Sequence, residues 1–248
     1  RTASGGELSR VMLALKTIIQ KQDRRLMVGF NQRYFDRNRV LKGTVEEQGI
    51  GKVTAAQAFH NQNLPAHLKS STGFRTEITG GGVVHNAGIH FVNLLRHWFG
   101  AVEKAQATFE NRALPAECGE DTAHCRFWFA NGVTATLDAS YVNAVPTSYE
   151  RVRFLGEDGE IASDLKKCDI TCRLKANRHL KITCKREIIS DSVFNALEHF
   201  ERCVRSGLQP ETDVDDSIET MKVIEALTLS ARRGAEIRLD EIERKYAR

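Results

Sequence analysis

Long apolar runs are missing from this chain. No stretch of eighteen or so consecutive apolar residues occurs, so no membrane-spanning helix is expected, and no signal peptide is visible. The chain begins at Arg1 rather than Met, which leaves an upstream targeting segment compatible with it. An excess of one charge is also lacking: 36 Lys and Arg against 32 Asp and Glu leave +4, too mild a balance to point to nucleic acid. Basic charge does gather at Lys166, Lys167, Arg173, Lys175, Arg178, Lys181, Lys185 and Arg186. No aromatic residue lies among them for base stacking, and lysines commonly blunt exposed sheet edges, so a solvated edge or hairpin is expected there. The six cysteines, Cys118, Cys125, Cys168, Cys172, Cys184 and Cys203, include no C-x-x-C pair, and their spacing does not fit common zinc patterns. A chain of 248 residues that is 41% hydrophobic can bury one substantial core without disulfides, so free thiols in a reducing cytoplasm are the expectation, with no metal.

What is present concentrates between Phe74 and Gly100. Gly80, Gly81 and Gly82 remove three consecutive side chains, which permits unusual backbone angles and lets another molecule approach the main chain. From Val83 to Phe99 the pattern is mostly apolar, yet Asn86, His90, Asn93 and His97 recur at spacings of four, three and four. Those spacings align them on one helical face. Unpaired buried polar groups cost roughly 1 to 3 kcal/mol each, so the stripe faces either a satisfied internal network or a ligand. The glycine loop before it makes a ligand the sharper reading.

These residues resemble the signature of the Gfo/Idh/MocA family of sugar-type dehydrogenases, in which Gly-Gly-Gly precedes a helix bearing Asp or Asn and, four residues later, His. The resemblance runs over about residues 20 to 240. Leu26 to Tyr34 is similar to the strand by which the family leaves its nucleotide domain, Gly49 to Val53 to its turn into a large sheet, Phe74-Arg75 to its Trp-Arg, and Asp215 to Leu239 to its closing helix and tail. It implies NAD or NADP as cofactor, held in the intact enzyme by an amino-terminal Rossmann domain with a glycine-rich turn. No such unit precedes Leu26, and the family's Glu-Lys-Pro has no match beyond Glu103-Lys104-Ala105, inside an expected strand. No cofactor is therefore expected to bind tightly to this chain alone. Carried over, His90 is the acid/base or substrate-orienting group and Asn86 hydrogen-bonds the sugar, while Arg75, Asn93, Arg33, Tyr34 and Asn31 are further substrate contacts. For Arg33 a salt bridge to Glu46 or Glu47 is the competing role. Asn at 86, where many members have Asp, leans toward the nucleotide-sugar branch that resembles the UDP-N-acetylglucosaminuronate 3-dehydrogenases. The implied partners are a sugar or nucleotide-sugar substrate and a second copy of the chain, paired through the open sheet face.

Arg1 to Thr17 resembles the signature segment of the bacterial DNA-repair ATPase RecN. Ser4 and Glu7 make a capping box, and Leu8, Met12, Leu15 and Ile19 an apolar stripe. A Gly-x-x-x-x-Gly-Lys-Ser/Thr phosphate loop is absent. Residues 1–20 are accordingly expected as an appended helix, a fusion fragment without ATPase function, and 21–248 as a substrate-binding and oligomerisation domain.

Periodicity gives a strand over Leu26 to Asn31, a helix over Tyr34 to Gln48 and a strand over Lys52 to Phe59. After the signature helix come strands at Glu103 to Glu110, Thr122 to Phe129 and Val133 to Tyr141, the last two joined at Asn131-Gly132. A turn at Glu157 to Gly159 and strands near Glu150 to Leu155, Asp169 to Leu174 and Leu180 to Cys184 complete a largely antiparallel sheet. Two helices, with stripes Val193, Leu197, Phe200, Val204 and Ile218, Met221, Ile224, Leu227, Ala231, end at Gly207 and Gly234. The expected class is α+β, a large mostly antiparallel sheet with helices on one face and no Rossmann domain. The function expected is the substrate-binding part of a nicotinamide-dependent sugar or nucleotide-sugar dehydrogenase, inactive alone. A cofactor-free sugar-binding or scaffold protein and an ATP-binding repair fragment are the rivals.

Overall fold

The computed structural model describes residues 17–18, 24–63, 81–142, 149–164, 169–175, 178–184 and 187–246. A 3-10 turn, Asn31–Tyr34, leads into α1, Asp36–Glu46, and then β1, Val53–Asn61. A π-helical turn, Val84–Gly88, runs directly into α2, Ile89–Phe99. Strands β2 (Val102–Glu110), β3 (Thr122–Phe129), β4 (Thr134–Ser140), β5 (Tyr149–Gly156), β6 (Gly159–Asp164), β7 (Asp169–Leu174) and β8 (Arg178–Thr183) follow. The chain closes with α3 (Ile189–Ser206), α4 (Val214–Arg233), β9 (Ile237–Arg238) and α5 (Leu239–Tyr246).

Nine strands make one sheet in the order β8-β7-β6-β5-β1-β4-β3-β2-β9. β1 and β4 are parallel, and every other neighbouring pair is antiparallel. Strict alternation explains the two faces. Ala56, Ala58 and His60 of β1, Val152 and Phe154 of β5, Leu137 and Ala139 of β4 and Cys125 and Phe127 of β3 are buried. The residues between them, such as Gln57, Arg153, Asp138 and Arg126, stay partly or fully exposed.

The helical layer lies on the apolar face, and aromatic packing sets α2 against it. Trp98 and Phe99, at the end of α2, meet Phe154 edge-on at centroid distances of 5.0 and 5.1 Å, and Phe99 meets Phe129 at 5.6 Å. Lys42 of α1 donates to the His97 carbonyl at 2.6 Å, and the Trp98 indole donates to the Asn38 carbonyl at 3.3 Å. α4 begins at Asp213, whose side chain accepts from the Asp216 N–H, and α3 and α4 end at the left-handed Gly207 and Gly234 as their sequences require.

The elements expected from sequence form with shifts of one to three residues at most boundaries, and Asn131-Gly132 makes its hairpin with Gly132 at φ +89°. Four differences have physical causes. Leu26–Asn31 is not a strand. Its long-range backbone bonding runs through Val28, whose N–H donates to the Thr212 carbonyl at 2.7 Å while the Thr212 hydroxyl donates to the Val28 carbonyl at 2.8 Å, and from Asn31 the chain winds into the 3-10 turn. β6 exists where no separate strand was expected, because Asp158-Gly159 turns so tightly that β5 and β6 pair directly. The Val193, Leu197, Val204 stripe of α3 does not reach the core: these residues are 44%, 59% and 53% exposed, while Ser192, Ala196 and Cys203 face inward. The tail adds β9 and α5, too short to show periodicity. The basic segment does form the sheet edge, with β8 exposed along its whole length and Lys181 paired to Asp169 at 3.0 Å. Lys166, Lys167, Lys185 and Arg186 lie outside the described residues, as do residues 1–16 of the appended segment.

Candidate functional site

The described end of the glycine loop is held from within the chain, Gly80 lying outside the described residues. The Glu120 carboxylate accepts from the N–H groups of Gly82 at 3.1 Å and Val84 at 3.0 Å, and the Glu120 carbonyl accepts from the Val83 N–H at 2.8 Å. A negative side chain thus occupies the amino terminus of the signature helix, where unpaired N–H groups and the helix dipole favour it. A Cβ on Gly82 would overlap the Glu120 carbonyl oxygen. The close approach that glycine permits at this position is therefore intramolecular, which corrects the reading of Gly82 as a seat for an incoming molecule. Burial pushes the Glu120 carboxyl up, against the lowering effect of its backbone donors.

From this capped start the chain makes a π turn before settling into α2, so the signature helix is not uniform. Extra residues in a turn re-aim side chains, and such turns recur at functional sites. Asn86, in the π turn, is exposed, and His90, in the first turn of α2, is half-buried. The His90 ring stands edge-on to Phe30 at 6.0 Å. Burial lowers its pKa, with the charge of His60 adding to the effect and that of Glu150 opposing it, which favours the neutral imidazole.

Asn93, in the other half of the stripe, sits in an internal hydrogen-bond network. Asn93 is completely buried; its amide donates to Asp216 at 2.9 Å and Thr220 at 3.0 Å and accepts from Arg33 Nε at 2.7 Å. Arg33 in turn pairs with Asp216 at 2.7 Å, and Arg96 with the same carboxylate at 3.0 Å. The competing role for Arg33 is thus corrected: its partner is Asp216 on α4, while Glu46 pairs with Lys42 at 3.3 Å. His97 is pushed down to about 3 by burial and by the nearby Arg33 and Lys42. Tyr34 is also enclosed. Its hydroxyl lies 3.3 Å from that of Thr212, and burial raises its pKa. Asn31, next to Phe30, donates to the Ser192 hydroxyl of α3 at 2.9 Å. The structure therefore gathers His90 and Asn86 at the start of α2 and places Asn31 on the neighbouring turn. It commits Arg33, Asn93 and Tyr34 to hydrogen bonds that hold that turn, α2 and α4 together. Arg75 lies outside the described residues.

Four further residues emerge only here: Glu120, Asp216, His60 and Glu150. His60 carried a signal, since alternation in β1 places it on the face of Ala56 and Ala58, where a histidine is unexpected. Glu150 stands likewise on the face of Val152 and Phe154. The roles of Glu120 and Asp216 depend on contacts 36 and 183 residues away in sequence, and no local pattern announces those.

The start of the signature helix, where N–H groups could hold a phosphate, is filled by the Glu120 carboxylate.

Known proteins share this fold. D-apiose dehydrogenase of Paraburkholderia graminis is 28% identical over 180 residues, 65% of this chain and 46% of that protein. D-xylose 1-dehydrogenase (NADP(+)) 2 of Haloferax volcanii is 27% identical over 164 residues, 64% of this chain and 49% of that protein. The chain thus spans about half the length of these relatives. In fold it is similar to levoglucosan dehydrogenase, solved in complex with NADH and levoglucosan, with a TM-score of 0.86 at 15% identity over 96% of this chain and 71% of that one. With residues 38–162 matching the family model "GFO/IDH/MocA C-terminal domain", the chain belongs to the Gfo/Idh/MocA family.

Proposed function

We propose that this chain is the substrate-binding part of a nicotinamide-dependent sugar dehydrogenase and that turnover requires a nucleotide-binding domain in addition to the residues described. The observation that carries this reading is the placement of a neutral, half-buried His90 beside an exposed Asn86 at the capped start of α2. In that role Asn86, with an amide that both donates and accepts, orients substrate hydroxyls, and His90 takes the proton of the hydroxyl being oxidised. Phe30 holds one side of the imidazole, and Asn31 stands on the adjoining turn. When bound by its own domain, NAD or NADP would accept the hydride.

The apolar face of α3, uncovered among the described residues, supports a second layer on this side. Ile188, Ile189, Val193, Phe194, Leu197 and Leu208 are 44 to 70% exposed, and several large apolar residues exposed on one helix and its flanks mark an interaction surface. The opposite, open face of the sheet is polar, with Arg151 paired to Asp164 at 3.2 Å, Arg173 to Glu160 at 3.3 Å and His124 to Asp138 at 2.5 Å. That face suits the proposed pairing of two copies.

Substrate class is read from the relatives, whose names specify apiose and xylose; a monosaccharide is favoured, and the nucleotide-sugar branch is the alternative. The test is an aldose and UDP-sugar panel with NAD and with NADP, run on the gene product translated from its natural start. Oxidation of one sugar class, with His90→Ala lowering kcat by roughly two to four decades, is the expected result. Unchanged turnover in that variant would remove His90 from the proton transfer, and sugar binding without any nicotinamide-dependent turnover would favour a binding protein.

A further inference from the structure

α3 carries an apolar stripe that no described element covers. Val193, Leu197 and Val204 are exposed, and Phe200, in line with them, is half-buried. Their spacing of four, three and four is that of the seam between two packed helices. The same spacing recurs near the amino terminus of the chain, in Leu8, Met12, Leu15 and Ile19. The described chain resumes beside α3. Arg25 donates from its guanidinium to the carbonyls of Gly207 at 2.8 Å and Leu208 at 3.3 Å, which ties the chain just after the amino-terminal stripe to the carboxyl-terminal end of α3. Thr17 and Ile18 are helical and exposed, and both lie off the stripe.

We propose that residues 1–20 cover the exposed face of α3 as a helix running parallel to it. The direction follows from Arg25: a helix seated on α3 that leaves toward Gly207 and Leu208 has its own carboxyl-terminal end at that end of α3. In this orientation the two stripes meet in register, Leu8 with Val193, Met12 with Leu197, Leu15 with Phe200 and Ile19 with Val204. The connection is long enough. From Ile19 to Arg25 an extended chain spans up to about 20 Å, against roughly 10 Å between the axes of packed helices. Apolar side chains on both helices leave water together, which gives the amphipathic segment and the uncovered face of α3 the partner that each requires. This seat is independent of the dehydrogenase reading, and a nucleotide-binding domain approaching from this side meets the outer surface of the segment.

The test is oxidative cross-linking of the whole 248-residue chain carrying Leu8→Cys with Val193→Cys, compared with Leu8→Cys and Val204→Cys. Mass spectrometry of the bridged peptides tells the new cysteines from the six native ones. A disulfide needs Cα atoms within about 7 Å, and Val204 lies about 16 Å beyond Val193 along α3 at 1.5 Å per residue. The expected result is a bridge within one chain for the first pair and none for the second. Equal yields in both pairs, or none in either, overturn the proposal and leave the face to a nucleotide-binding domain. A bridge between two chains, read from a mixture of nitrogen-14 and nitrogen-15 protein, overturns it in favour of a second copy. Should the cysteine variants fail to fold, Met12→Asp decides through hydrogen exchange of the α3 amides. Exchange between Val193 and Val204 is expected to quicken by roughly tenfold when a charge enters the seam, and an unmoved rate overturns the proposal. Neither measurement requires turnover.

Discussion

Replacing Gly82 by alanine tests whether the start of α2 is fixed by the chain itself. A Cβ at Gly82 would overlap the carbonyl oxygen of Glu120 and lie 2.5 Å from its nitrogen and 2.7 Å from its carbonyl carbon. These are backbone atoms, which cannot rotate away as a side-chain end can. The loop must separate from Glu120, and with it go the two bonds to the carboxylate and the Val83 N–H bond to the carbonyl. Overpacking of a rigid site costs about 1–3 kcal/mol, and each hydrogen bond to a charged group contributes about 1.5–3 kcal/mol. Because the loop relaxes in part, these do not add fully, and G82A is expected to lose about 3 kcal/mol. The measurement is urea unfolding followed by far-ultraviolet circular dichroism. Gly43→Ala is the control: Gly43 lies inside α1 with nothing within 4 Å of its Cβ position, so alanine there should stabilise by roughly 0.5–1 kcal/mol. A loss under about 0.5 kcal/mol in G82A would show that the glycine is not needed for the Glu120 contact and would reopen the loop as a ligand seat.

Glu120→Gln should remove one component of the pH dependence. The folded carboxyl is raised by burial, so its contribution is fully present below its unfolded pKa and is lost as pH rises through the folded one; E120Q chains should lack that decline in urea midpoints measured above about pH 4.5. His97 acts in the other direction. Its folded pKa of about 3 lies below the ordinary 6.5, so its contribution is complete above 6.5 and is lost as pH falls toward 3, by about 1–2 kcal/mol at pH 5; His97→Gln should flatten that fall, and an unchanged slope would place the acid sensitivity elsewhere. Asp216→Asn strips Arg33 and Arg96 of their shared carboxylate. The expected cost is about 3–5 kcal/mol, read by thermal unfolding, and a loss below 1 kcal/mol would mean that water replaces the carboxylate.

The sequence by itself determined the features that depend on neighbours a few residues apart. Alternating β1 to β5, the Asn131-Gly132 hairpin and the glycine-ended helices α3 and α4 all follow from local sterics and one-sided burial. The block from the glycines to His90 was legible for the same reason, because the loop and the Asn86, His90 spacing lie on one short segment. Tertiary structure decided what that segment faces. A period of polar residues along a helix does not say whether water, a substrate or another helix stands opposite. Only the packing of α4 beside α2 turned Asn93 into a buried partner of Arg33, Asp216 and Thr220, and only the return of Glu120 filled the helix start. The outward face of α3 shows the same limit in reverse: an apolar stripe requires a partner for its burial, and the sequence of the stripe does not carry that partner's position.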